Sequence, residues 1–147
     1  MIKHPIDEPI EESSLTVVLP VSAESRLRTG LFQRFARKDE AYRTLSKSWL
    51  DLDRGTVSRA TMAERSGFFW PPGLPIIIIP VKQRGLDIPI SNIADLTLKL
   101  AHFCRKRGVP ALALARSTWE NMRYTTAQYR QLVDALEQKG IEVHEYE

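Results

Sequence analysis

The sequence predicts an α/β domain of three layers, α/β/α, around a largely parallel sheet of mixed character. Three observations carry this. "PIIIIPV", 75–81, is apolar without alternation, as expected of a strand buried on both faces. "SLTVVLPV", 14–21, and "VPALALA", 109–115, are of the same kind. Between and after these runs stand helical stripes, so the second half reads β-α-β-α-β.

The elements follow in order. Residues 1–13 lack periodicity and contain Pro5 and Pro9, so they read as an arm, loose or laid over the surface. A single domain is expected over 14–147. After the first strand, Leu31, Phe35, Tyr42, Leu45 and Trp49 share an apolar side, over two helices broken near Lys38 and Asp39. "RGTVSRAT", 54–61, opens on a glycine turn and alternates, predicting a half-buried strand. "AERSGFFWPPG" predicts a loop or short strand, with Trp70, Phe68 and Phe69 as packing. Ser91 or Asn92 is the expected cap of a helix whose stripe is Ile93, Leu96, Leu100 and Phe103, and which Gly108 stops. Arg105, Lys106 and Arg107 suit its negative carboxyl end. "STWENMRY" predicts a loop. Thr125 or Thr126 caps a last helix with Tyr129, Leu132, Val133 and Leu136 inward, and Gly140 ends it. "IEVHEYE" alternates and predicts an edge strand.

Composition bounds the chemistry. The chain has 147 residues, 43% hydrophobic and 27% charged, the balance of an ordinary globular chain. One cysteine, Cys104, excludes an internal disulfide framework and suits a reducing compartment. No apolar run approaches the ~20 residues that span a bilayer, and "MIKHPIDEPIEESS" is too acidic for a secretory leader, so a cytoplasmic location without membrane contact is expected. The net charge of +3 is small. Its distribution is uneven: the arm holds Asp7, Glu8, Glu11 and Glu12, while Arg26, Arg28, Arg34, Arg37, Lys38 and Arg43 cluster around the first loop and helix. That basic face is either solvated or binds anions.

Open α/β sheets bind ligands at the carboxyl ends of their strands. Three loops are delivered there: "SAESRLRTG", "KQRG" and "RSTWENM". The first leads into a helix, whose free N–H groups favour phosphate, and Arg26 and Arg28 supply bidentate donors. Lys82, with Gln83 and Arg84, either holds an anion or is the chain returning to water. Trp119 either stacks on a base or caps the core. Glu24 and Glu120 are the only acid–base candidates in these loops. His4, His102 and His144 stand in different elements, and no metal-ligand spacing or G-x-S-x-G motif is present, so neither metal nor cofactor is expected.

The order of elements resembles a divergent macrodomain, over about residues 14–147. "LTVVLPVSAESRLRTGLFQRFARKDEAYRTL" resembles that family's first functional strand, loop and helix. "RGTV" looks like the glycine-led strand that follows it. "IIIIPVK" is similar to the strand ending in Pro-x-Lys of macrodomains that reverse DNA ADP-ribosylation. "ISNIADLTLKLAHFCRKRGVPALALA" is similar to the next helix and strand. The pattern departs where asparagines usually follow the first strand, since Ser22 and Ala23 stand there. The glycine-rich loops are reduced to Gly30 and replaced by "RSTWENM". The resemblance implies a module binding ADP-ribose or a related phosphorylated nucleotide through Ser22, Arg26, Arg28, Gly30, Lys82, Arg116, Ser117 and Trp119. Arg26, Arg28, Ser117 and Thr118 would stand in for the missing backbone contacts. Two rivals remain: an interaction protein that kept the fold, lost the pocket and binds protein or nucleic acid through its basic first helix, and an ADP-ribosyl hydrolase using Glu24 or Glu120.

Overall fold

The four isoleucines explain the layering. In strand β3 (Ile76–Gln83) Ile77 and Ile79 face one core, while Ile76 and Ile78 face another on the opposite side of the sheet. All four are at most 1% exposed, because a strand between two helical layers has no solvent face. The computed structural model describes residues 1–28, 30–83, 86–87 and 91–147; of Leu86, Asp87 and Ser91 it describes the backbone alone.

The remaining strands are β1 (Ile2–Lys3), β2 (Thr16–Ser22), β4 (Leu86–Asp87), β5 (Ala111–Ala115) and β6 (Glu142–Tyr146), in the order β1-β6-β5-β2-β3-β4. Every pairing is parallel except β3 with β4. The three apolar runs are parallel neighbours, in the order β5-β2-β3; their parallel direction is as expected, while the order comes from the pairing.

One helical layer contains α4 (Ser91–Arg107) and α6 (Thr126–Gln138), which bury Ile93, Leu96, Leu100, Tyr129, Leu132 and Leu136 against Ile77 and Ile79. The other contains α1 (Gly30–Lys38) and α2 (Leu45–Asp51), with Phe35, Tyr42, Leu45 and Trp49 against Ile76 and Ile78. The break between α1 and α2 falls at Asp39, whose carboxylate accepts from the Ala41 N–H and starts a 3-10 turn. Thr125 caps α6 in a reciprocal box with Gln128. Gly108 and Gly140, at φ of +69° and +83°, end α4 and α6 in the left-handed region. No helix among the described residues is long and apolar enough to cross a membrane.

The structure corrects four local expectations. Residues 54–61 form no strand: Ser58 accepts from the Thr61 N–H and starts helix α3 (Arg59–Glu64), so capping overrides the alternation. "STWENMRY" is not a loop but begins in helix α5 (Arg116–Asn121), which places Trp119 in the core. Strand β6 is not an edge, because Ile2 and Lys3 of the arm pair with His144 and Glu145. Neither Ser91 nor Asn92 stands before α4, which already begins at Ser91; the Asn92 side-chain amide donates to the Glu64 carbonyl at 3.4 Å. Strand β3 also runs on through Lys82 and Gln83 before the antiparallel return of β4. Thr29, Arg84 and Gly85 lie outside the described residues.

One buried pair carries a pH prediction. The Tyr129 hydroxyl donates to Glu145 at 2.9 Å, and both side chains are buried. Burial, then the Glu145 carboxylate, push the Tyr129 phenol far above its ordinary range. An unfolded tyrosine ionises at about pH 10 while the folded one resists, so this stability is complete below about pH 10 and is lost progressively as pH rises from there toward the folded phenol's higher value. Urea unfolding on the alkaline side should show a steeper loss in the parent protein than in Tyr129→Phe. Equal slopes would remove the assignment. In the same core Cys104 is 1% exposed, and burial pushes its thiol up to about 11, which leaves it a packing residue.

Candidate functional site

The parallel strands β2 and β5 end side by side, and a cleft of about 660 Å³ opens over their carboxyl ends. Val21, Ala115 and Phe32 line it on the sheet side, all from the core that packs α1. Polar groups converge from three elements. Ser22 ends β2, Gly30 is the first residue of α1, and Ser117, Thr118 and Asn121 come from α5. A Cβ at Gly30 would meet nothing within 4 Å, so the backbone there is open to a neighbour. No acidic residue stands in the first turn of α1.

The loop between β2 and α1 is held from behind. The Trp49 indole N–H and the Arg59 guanidinium both donate to the Ser25 carbonyl, at 2.8 and 3.1 Å. Arg59 is fixed in turn by Asp53 at 2.8 Å, and its hydrogen bonds hold the Asp53 carboxyl below the usual range. Ser25 lines the cleft, so α2 and α3 shape the mouth from the far side of the loop.

The remaining wall is the amino-terminal arm. Residues Ile6 to Glu11 line the cleft, and bring Asp7, Glu8 and Glu11 to it. Glu147 adds a fourth carboxylate, against one cationic side chain in the lining, Arg34, which pairs with Glu11 at 3.0 Å. The Glu11 Oε2 is buried with no partner among the described residues. The arm is thus a wall rather than a surface decoration, and its acidity is turned toward the sheet edge.

Of the side chains expected at a common site, Ser22, Gly30 and Ser117 meet there. The Ser22 hydroxyl donates to Glu24 at 2.5 Å, and that of Ser117 to the Glu147 carbonyl at 2.5 Å. Arg26 and Arg28 are exposed and outside the lining. Lys82 is half-buried and in register with Ser22, across an irregularity in the β2–β3 pairing, yet it is not part of the lining. Arg116 is not in the lining, but it pairs with the Glu147 carboxylate that is, at 2.7 and 2.6 Å, a pairing that raises its guanidinium above the ordinary range. Stacking by Trp119 is corrected: the ring is 0% exposed, lies in the core of α4 and α6, and meets Tyr124 edge to face. Its neighbours in α5 point the other way, because the helical twist separates Ser117 and Thr118 from residue 119. Glu24 and Glu120 are both exposed and outside the lining, with Glu120 3.7 Å from Arg116.

The sequence marks the arm residues and Arg34 as an acidic arm and a basic face, not as parts of this cleft. The acidic character of the arm was visible, but nothing local says across which edge an aperiodic segment lies. Among the described residues no group of His, Cys, Asp and Glu is arranged to hold a metal ion. The chemistry available is hydrogen bonding by hydroxyl and amide groups beside a helix amino end, faced by the carboxylates of the arm and Glu147.

Comparison with known proteins agrees with this architecture. No family model and no curated protein matches the sequence. Among solved structures, the macrodomain of DarG from Mycobacterium tuberculosis aligns with a TM-score of 0.68 at 18% identity, over 99% of this chain and 97% of that one. The macrodomain of DarG from Thermus aquaticus aligns at 0.56 and 18% identity, over 99% and 95%. A macrodomain protein from Streptomyces coelicolor aligns at 0.55 and 14%, over 89% and 86%. The element order, the sheet and these alignments agree on one conclusion: the chain has the macrodomain fold.

Proposed function

We propose that the cleft binds ADP-ribose or a related phosphorylated nucleotide. The observation that carries this is position: the cleft lies where β2 and β5 end and α1 begins, at the carboxyl edge of a macrodomain-fold sheet. Its volume of about 660 Å³ is within the range of small-molecule sites. Thr118 and Asn121 offer donors for phosphate and ribose oxygens, Ser22 and Ser117 would have to exchange their bonds to Glu24 and Glu147 to join them, and the open backbone at Gly30 leaves the end of α1 approachable. The arginines expected to hold phosphate stand outside, so affinity rests on these neutral donors.

The rival readings have less support. Two cations of the basic first helix, Arg34 and Lys38, already pair with Glu11 and Glu12 of the arm, which reduces the face offered to nucleic acid. A hydrolase using Glu24 or Glu120 would need a carboxylate in the cleft, and neither lines it. Isothermal calorimetry tests the proposal. Saturable heat is expected for ADP-ribose, with weaker heat for adenosine, which lacks the phosphates. Absence of heat at about millimolar ligand, a binding free energy near −4 kcal/mol, removes the proposal.

A further inference from the structure

The arm crosses the cleft between two anchors. At one end, Arg34 and Lys38 of α1 hold Glu11 and Glu12, and Lys38 also donates to the Glu11 carbonyl at 2.7 Å. At the other end, His4 joins a chain of three hydrogen bonds. His4 Nδ1 meets Glu8 at 3.0 Å, His4 Nε2 meets His144 Nδ1 at 2.8 Å, and His144 Nε2 meets Glu142 at 2.6 Å. The His4 ring also stacks on Tyr146, centroids 4.1 Å apart and planes 10° from parallel.

The protons in this chain can be counted. Both carboxylates accept, so His4 Nδ1 and His144 Nε2 each carry hydrogen. The bond between the rings needs one more, on either His4 Nε2 or His144 Nδ1. Two neutral imidazoles carry two ring N–H groups, and the three bonds need three. The closed chain therefore contains one imidazole and one imidazolium, balanced by Glu8 and Glu142. A fourth proton sets two N–H donors against each other and breaks the ring-to-ring bond. The other groups facing the pair do not compensate: Tyr146 offers a ring face, and the β5 residue opposite His144 is Ala113. Charged neighbours farther out are already engaged, Met1 with Glu137 and Arg116 with Glu147.

We propose that residues 1–13 are a strap over the cleft, locked by one proton shared between His4 and His144, and that a second proton on the pair releases it and opens the cleft to a phosphorylated ligand. The ligand half of this inference rests on the ADP-ribose reading above. Seated, the strap presents Asp7, Glu8 and Glu11 where phosphate would lie, so strap and anion oppose each other. The seated strap is also incompletely satisfied: Ile6 is 82% exposed, and Glu11 Oε2 is buried without a partner among the described residues.

Amide hydrogen exchange on the full chain tests the lock directly. The His4 N–H donates to the Glu145 carbonyl at 2.9 Å and reports whether the strap is down. After correction for intrinsic rates, its protection should fall about tenfold or more on acidification, the scale of one charge-assisted hydrogen bond, while Ile78 keeps its protection. In His4→Gln, which cannot take up a proton, the acid step should disappear. An unchanged protection in the parent chain, or the same step in His4→Gln, overturns the lock. Calorimetry with ADP-ribose on both proteins separates the two ideas. Tighter binding at acid pH in the parent alone supports the whole inference. Ligand heat without an exchange step removes the lock and keeps the ligand reading. An exchange step with no heat in either protein removes the ligand reading and the strap's role in admitting it.

Discussion

Trp49→Ala is expected to destabilise the protein by about 3–5 kcal/mol, the usual cost of emptying a large aromatic site. The side chain is fully buried on α2 between the Phe69 ring, 6.1 Å away, and the Arg59 guanidinium, 5.8 Å from its centroid. Its N–H is also one of two donors to the Ser25 carbonyl. The substitution therefore acts twice. It removes apolar contact from the core under α1, and it frees the loop that sets the mouth of the cleft. For a chain of this length, a loss of that size lowers Tm by about 10 °C or more. Thermal unfolding reads the first effect. Exchange at the Leu27 amide, which donates to the Ser25 hydroxyl within the loop, reads the second. A loss below about 1 kcal/mol, with Leu27 unchanged, would show that the ring holds neither.

Trp119→Ala is expected to cost a similar amount, again about 3–5 kcal/mol, but to leave the cleft as it was. Trp119 is equally buried, yet it belongs to the other core, with Leu132, Leu136 and the inward face of α4. Its indole N–H has no acceptor among the described residues, so Trp119→Phe should recover part of the loss by removing an unpaired donor. If the cleft binds ADP-ribose as proposed, the affinity, measured well below the unfolding temperature, should stay within about twofold of the parent. A base stacked on the ring would be worth about 1–3 kcal/mol, so a drop of that size would return Trp119 to the site. The two tryptophans thus separate two kinds of damage: loss of stability with loss of loop geometry, and loss of stability alone.

Legibility followed the range of the interaction that determines each feature. The run Ile76 to Ile79 could be placed between two layers without coordinates, since only burial on both sides tolerates four consecutive isoleucines. The stripes of α4 and α6 and their glycine stops were equally plain. Residues 54–61 were misread because alternation and helix capping competed there, and a single hydroxyl, Ser58, tips the balance. Residues 116–121 were misread because a short polar helix has too few turns for a stripe to be visible.

The candidate site was legible only in outline. Ser22, Gly30 and Ser117 could be placed together because strand order and direction bring three loop starts to one edge. The arginines could not be placed, because a long exposed side chain takes its direction from whichever carboxylate is near. Arg116 turns to Glu147, and Arg34, read only as one of the basic residues around the first helix, turns to Glu11 in the cleft wall.

What the chain's own order of residues determined is the layering and the largely parallel direction of the buried strands, because these depend on the periodicity of burial within each segment and on the helices between them; the order β5-β2-β3 came from the pairing. Tertiary structure alone decided that the aperiodic arm pairs with β6 and walls the cleft with acid. His4 and His144 are 140 residues apart and meet only through that pairing. No local pattern encodes such a contact, since its energy comes from groups that the folded sheet first brings within hydrogen-bonding range.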